Sequence, residues 1–299
     1  MSKCHYIALA NIPGIGGVTA RKLLERFGAL GAAFAASDEE LLSIPRVTPE
    51  IASAMREADL DRYEEALEAL DRDGIGVVTW EDDGYPANLA DAHDSPYLLY
   101  VAGDLRPADG LAAAVVGSRE ASARSMEVAE RLARELAERG ITVVSGLAEG
   151  IDTAAHVGAL AASGGRTIAV LGSGLGAIHP RENVGLAQQI TECGAVVTEY
   201  APRVPVRGPQ LMARDRIVSG LSRAVIVVEA GVPSGSLDTA EKARKQDRLV
   251  FAIAGSPGTN ALISTGAIGL DPTAGVEEIT RRLSEGRGSS CEQPSLWDG

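Results

Sequence analysis

The chain has 299 residues, of which 45% are hydrophobic, and a formal net charge of −13 at pH 7. A chain of that size and apolar content can bury at least one full core and suits a main domain with a smaller companion. The acidity argues against coating nucleic acid by bulk attraction, which needs a positive field over much of the surface, but leaves room for a local basic groove. No run is long enough to span a bilayer and no basic-then-apolar leader opens the chain, so a soluble, cytoplasmic protein is expected. Cys4, Cys193 and Cys291 are too widely spaced for a metal knuckle or a disulfide framework, and no metal or cofactor is expected. Lys3, Lys22, Lys242 and Lys245 are the only lysines. The remaining cations are arginines, the better bidentate ligands for phosphate.

Residues 1–67 read as a small helical domain in two similar halves. The first runs Ile12-Pro13-Gly14-Ile15-Gly16-Gly17-Val18-Thr19-Ala20-Arg21-Lys22, and Phe27-Gly28 closes its helix. This resembles a helix-hairpin-helix (SAM-like) unit, whose glycine turn offers backbone amides to a DNA phosphate. The second half, Leu41 to Pro49, repeats the rhythm without the glycines and reads as a packing partner.

From residue 68 to 284 a second domain is expected. It opens with short β-rich runs, Gly76 to Trp80 and Tyr97 to Val101, around the turn Asp82 to Pro86, which read as an edge extension of a sheet. Apolar strands then alternate with helical patterns, the signature of a mostly parallel, doubly wound, Rossmann-like α/β sheet with helices on both faces. The predicted strands are Ala113–Val116, Ile141–Val144, Thr167–Leu171, Ala195–Thr198, Ala224–Val228 and Leu249–Ile253. In the first crossover helix, Met126, Ala129, Leu132, Ala133, Leu136 and Ala137 recur at helical spacing and are predicted to be core. In the second, Asp152 is placed as a helix cap, and Ala154, Ala155, Val157, Gly158 and Ala161 are small enough for the helix to lie close against the sheet.

The loops that leave the strands point to function. The strands end in Gly117-Ser118-Arg119, Ser145-Gly146-Leu147-Ala148, Gly172-Ser173-Gly174, Glu199-Tyr200, Glu229 through Ser234-Gly235-Ser236, and Ala254-Gly255-Ser256. In an open α/β sheet these ends share one edge, and ligands bind in the crevice there. Any one such loop reads as a turn, but a whole rim of small residues lets a ligand approach the backbone. A helix entered from a glycine loop also offers free amides to a phosphate. Arg119, Arg181, Arg214 and Arg216 would add guanidinium groups to that rim. The segment from Ala201 to Arg223 holds five arginines against one acid, Asp215, in a chain that is acidic elsewhere. That reversal favours an anion.

In order and spacing, Val116-Gly117-Ser118-Arg119, Ser145 through Asp152 with Ala155-His156, Thr167 to Gly172, Arg214-Asp215-Arg216 through Ser222, and Ser234-Gly235-Ser236-Leu237-Asp238 resemble the DNA-processing protein A (DprA/Smf) family. The resemblance implies a Rossmann-like protein without enzymatic activity. It would bind and protect single-stranded DNA, help load a RecA/RadA-type recombinase in natural transformation, and form a homodimer. Carried over by position, it implies DNA contacts at Arg119 in its Gly-Ser-Arg turn, around Ser145 and Gly146, at Arg181, and at Arg214 with Arg216. Amides near Gly146, Gly172 and Gly235 would join them.

Three features depart from the family pattern. Asp215 stands where asparagine is usual, Leu211-Met212 where Phe-Pro is common, and the polar tail, residues 285–299, is too short for a further domain and is expected to be disordered. The competing reading is a nucleotide-binding enzyme of the nucleoside monophosphate phosphoribohydrolase type, with Glu229, or Glu199 with Asp152, as its carboxylate. A nucleotide-sensing module is a third. His156, on a helix face lined with alanines, reads as buried and hydrogen-bonded.

Overall fold

Helices dominate the start of the chain because short apolar stripes there are punctuated by Pro and Gly turns. A computed structural model describes residues 3–285. Beyond Glu285, the expected tail lies outside the described residues, as does Cys291. The first helices are α1 (Cys4–Ala10), α2 (Gly17–Phe27), α3 (Leu30–Phe34), α4 (Asp38–Leu42), α5 (Pro49–Arg56) and α6 (Leu60–Arg72). The two hairpins are built on Ile12-Pro13-Gly14-Ile15 and Ile44-Pro45-Arg46-Val47, and both turn through the left-handed region, Gly14 at φ 89° and Arg46 at φ 79°. The second hairpin thus keeps the turn without its glycine, at roughly 1–2 kcal/mol for a residue bearing a Cβ. Leu9, Leu23, Leu30, Leu41 and Met55 form one core with Val77, Leu98 and Tyr100 of the following strands and with Tyr97, which directly precedes the second of them. At the same junction a Cβ on Gly17 would lie 2.8 Å from the Ser95 carbonyl oxygen, and Arg21 sits 4.7 Å over the Trp80 ring.

Among the described residues, nine strands make one sheet in the order β1-β2-β6-β5-β4-β3-β7-β8-β9. They are β1 (Ile75–Thr79), β2 (Leu98–Gly103), β3 (Ala112–Val116), β4 (Thr142–Ser145), β5 (Thr167–Val170), β6 (Ala195–Thr198), β7 (Ala224–Val227), β8 (Leu249–Ile253) and β9 (Ile268–Leu270). The helices between them are α7 (Ala87–Ala90), α8 (Ala123–Glu138), α9 (Ile151–Ala161), α10 (Val184–Cys193), α11 (Gly208–Leu221), α12 (Gly235–Lys245) and α13 (Pro257–Ser264), with α14 (Glu277–Glu285) last. Strands β3 to β9 are parallel, and β1 and β2 extend the β6 edge antiparallel, in line with the edge extension expected from sequence. From β3 the chain winds first to β4, β5 and β6 on one side, then to β7, β8 and β9 on the other. The order reverses between β3 and β7, which pair Val115 with Ile226.

Alternate strand residues build two cores, one on each face. Val116, Val144, Val225 and Val227 meet Ile217, Val218 and Leu221 of α11. Val115, Val143 and Ile226 meet Leu132 and Leu136 of α8 and Ala155 of α9. Burial on both faces is why these strands read as unbroken apolar runs. Three expectations need correction. Strand β9 is not among the predicted strands. Met126 is 36% exposed, because it sits in the first turn of α8 at the sheet rim, while Val128 is buried. Val157 and Ala161 face solvent, and the close approach of α9 is to α8: a Cβ on Gly158 would lie 2.0 Å from the Glu130 carbonyl oxygen. Among the described residues no helix is long and apolar enough to cross a membrane.

Candidate nucleic-acid interface

Where the strand order reverses, the carboxyl ends of β3 and β7 part and leave a cleft of about 440 Å³. Gly117, Ser118 and Arg119 after β3, Arg214 and Asp215 of α11, and Ser234 and Gly235 at the start of α12 all line it. These are six of the residues proposed from sequence, with Asp215 beside them. The Ser118 amide donates to the Glu229 carbonyl at 2.8 Å, which anchors the β3 turn to the loop after β7. Gly150, the residue before α9, has φ 74°, and a Cβ there would come within 2.4 Å of the Ser118 and Arg119 carbonyl oxygens. Only glycine closes that approach. Arg119 itself is exposed, with no side-chain partner among the described residues.

The floor of the cleft is a buried charge cluster. The Arg214 side chain, 6% exposed, lies over the backbone of Gly146, so close that a Cβ on Gly146 would fall 1.4 Å from Nη1. Its Nε is 3.4 Å from Oδ1 of Asp215. Asp152 completes the group from α9. The sequence suggests a cap for that helix, but the residue preceding α9 is Gly150, and Asp152 Oδ2 instead accepts from the Gly146 and Ala148 amides at 3.1 and 3.4 Å. The loop before the helix is what it holds. The Gly146 amide is therefore satisfied within the protein. Burial pushes the Asp152 carboxyl up against the opposing pull of Arg214 and the loop amides. Burial likewise pushes Asp215 up to about 6, with Arg214 and Lys242 lowering it and Asp152 and Asp238 raising it.

The loop after β4 is held under strain. Leu147 is fully buried at φ 60°, a conformation that bulky residues avoid. Its carbonyl accepts from Asn183 Nδ2 at 2.9 Å, and the same amide reaches Thr153 Oγ1 at 2.9 Å. Asn183 thereby ties the turn bearing Arg181 to the loop behind Arg214. Arg181 is exposed and projects outside the cleft lining.

Other proposed residues fall elsewhere. Ser145 is fully buried and its hydroxyl donates to the Val115 carbonyl at 2.7 Å. Gly172 is covered by α11, with Leu211 Cα 3.0 Å from where its Cβ would be. Arg216 leaves α11 away from the cleft and grips Glu199 through two hydrogen bonds of 2.9 and 2.7 Å. His156 is buried, with Nδ1 2.7 Å from Thr167 Oγ1. Burial, helped by Arg214, depresses its pKa to about 3, so it stays neutral.

The structure also adds residues. Leu211 and Met212 form an apolar wall of the cleft, and Ser236 and Thr239 line its far side. Ser234 Oγ accepts from the Ser236 amide at 3.3 Å, capping α12 and turning its N-terminus toward the cleft. A serine two residues before another serine, after Gly231-Val232-Pro233, was the available signal.

A family model described as DNA recombination-mediator protein A matches residues 76–283, and one described as helix-hairpin-helix motif matches residues 6–58. The DNA processing protein DprA of Streptococcus pneumoniae is 43% identical over 192 residues, which cover 62% of this chain and 67% of that protein. Protein Smf of Escherichia coli is 42% identical over 212 residues, covering 69% of this chain and 56% of that protein. The X-ray structure of DprA from S. pneumoniae superposes with a TM-score of 0.76 at 32% identity, over 90% of this chain and 95% of that one. A structure of DNA processing protein A from Helicobacter pylori, solved for its single-stranded DNA binding mode, superposes with a TM-score of 0.59 at 31% identity, over 70% and 94%. On this architecture and these matches, the chain belongs to the DNA recombination-mediator protein A family.

Proposed function

We propose that this protein binds single-stranded DNA along the carboxyl edge of its sheet, without catalysing a reaction, and protects it. The cleft between β3 and β7 carries the reading. It brings the Gly117-Ser118-Arg119 turn, the buried Arg214 and the N-terminus of α12 to one concave site. Relatives that process DNA, and the H. pylori protein that binds single strands, support it. In this reading, amides and guanidinium groups hold phosphates and fix the register of the strand. Leu211 and Met212 offer a base an apolar face, which holds less firmly than the roughly 1–3 kcal/mol per base of an aromatic platform. Arg119 and Arg181 guide the strand in and out. Helping to load a RecA/RadA-type recombinase, acting as a homodimer and working in the cytoplasm belong to the same proposal and rest on the family resemblance.

The hydrolase reading gains no observation. Asp152 holds loop amides and Glu199 grips Arg216. Glu229 accepts from the Ser122 amide and hydroxyl at 3.2 and 2.8 Å. Each carboxylate named for that chemistry has a structural role. The test is fluorescence anisotropy of labelled single- and double-stranded oligonucleotides against salt, with adenosine monophosphate as competitor and adenine release followed. Preferential, salt-sensitive binding of single strands without adenine release is expected. Absence of DNA binding together with adenine release would replace the proposal with the hydrolase.

A further inference from the structure

The charges at the cleft floor do not balance once an anion enters. Among the described residues Arg214 is the one cation on that floor, and Asp215 and Asp152 line the same cleft. A phosphodiester would be a third anion beside a single buried guanidinium. The neighbouring elements supply little relief. On the β3 turn, exposed Arg119 is followed by Glu120. On α12, Lys242 is already engaged by Asp238 and by the Met212 carbonyl oxygen. On α9, His156 is neutral.

The two carboxyl groups are not equivalent. Asp152 accepts the Gly146 and Ala148 amides, so its charge supports the loop beneath Arg214. The Asp215 carboxylate accepts no hydrogen bond among the described residues and meets Arg214 only at 3.4 Å. Its ionised form is the less supported of the two, and it stands where the phosphate would approach. We propose that Asp215 takes up a proton as a DNA phosphate enters the cleft, so that the protein binds strand and proton together. Deprotonated Asp215 holds Arg214 for itself, and protonated Asp215 yields it to the phosphate.

This inference rests on the DNA-binding reading above. Its test is the affinity for a labelled oligothymidylate at constant ionic strength from pH 5.5 to 8.5, for the natural protein and for Asp215→Asn. Binding linked to uptake of one proton weakens by up to about tenfold per pH unit where the free site is ionised and the complex is not. The natural protein is expected to lose affinity as pH rises above about 6, where Asp215 ionises in the free protein. Asp215→Asn is expected to bind more tightly than the natural protein at pH 8 and to lose that slope. Any part of the pH dependence that does not come from Asp215 persists in both proteins and cancels in the comparison. Calorimetry of the natural protein in two buffers of different ionisation enthalpy reads proton uptake directly, even if the variant folds poorly. Single-strand binding with the same slope in both proteins, or with no proton uptake, would overturn the inference and leave DNA binding standing. No binding at any pH would overturn both.

Discussion

Arg214 and Arg216 stand two residues apart on α11 and serve different regions of the molecule. Arg214 lies on the cleft floor over Gly146, beside Asp152 and Asp215. Arg216 lies on the other side of the helix, clamped in a two-point pair with Glu199 after β6. One region is a guanidinium poised between carboxylates at an open cleft. The other is a closed pair that fastens α11 to the sheet, with the Arg216 carbonyl also accepting from Gln246 at 3.0 Å. An excess of arginine in a sequence marks neither region by itself. What distinguishes them is how the partner carboxylate engages: Glu199 takes two donors of Arg216, whereas Asp215 meets Arg214 only at 3.4 Å, in the lining of the cleft.

The contrast can be broken first at Arg214. Replacing Arg214 with Met leaves two buried carboxylates without their cation, and loss of one partner from a buried pair costs about 3–5 kcal/mol. Thermal unfolding is expected at a much lower temperature, with single-strand binding lost. Asp215→Asn acts in the opposite direction. The folded protein holds a proton on Asp215 up to about pH 6, whereas an unfolded aspartate releases it near 3.8. The folded state therefore binds more protons in that window, and stability is lost as pH rises through it. The variant escapes that loss and is expected to gain roughly 2–3 kcal/mol above pH 7, as read by denaturant titration at pH 5 and pH 8.

Arg216→Met should cost less. The pair is partly exposed, and leaving Glu199 unpaired is worth about 1–3 kcal/mol. Single-strand affinity in the surviving folded fraction is expected to stay near that of the natural protein, which is the sharpest contrast with Arg214. The smallest structural effect belongs to Arg119→Ala. Removing an exposed side chain without a partner should change stability by less than about 0.5 kcal/mol. It should nevertheless weaken single-strand binding and reduce the salt slope by about one, measured by anisotropy across a salt series.

Much of the fold was legible because strands buried on both faces are short apolar runs with glycine at their ends. Strand β9, Ile268-Gly269-Leu270, is not legible because three residues with a central glycine carry no periodic pattern. The site was legible at Gly117-Ser118-Arg119 and Ser234-Gly235, where small residues and a charge follow a strand. The roles of Arg214 and Arg216 were not separable in the sequence. Two residues on a helix turn it by about 200°, so neighbours in the motif face opposite ways. The direction of the Ser145 side chain was hidden for the same kind of reason: at the last position of β4, its hydroxyl turns inward to Val115. Asp152 stands two residues past the Gly150 cap position, too deep in α9 to cap it, and reaches back to the loop instead.

The most direct measurement of the central claim is ultraviolet cross-linking of bound oligothymidylate, followed by identification of the modified peptides. Cross-links within residues 117–120, at Leu211-Met212 and within residues 231–236 are expected. Cross-links confined to the hairpin at residues 12–17, or to the Glu199–Arg216 side of α11, would contradict the assignment of the cleft as the path of the strand.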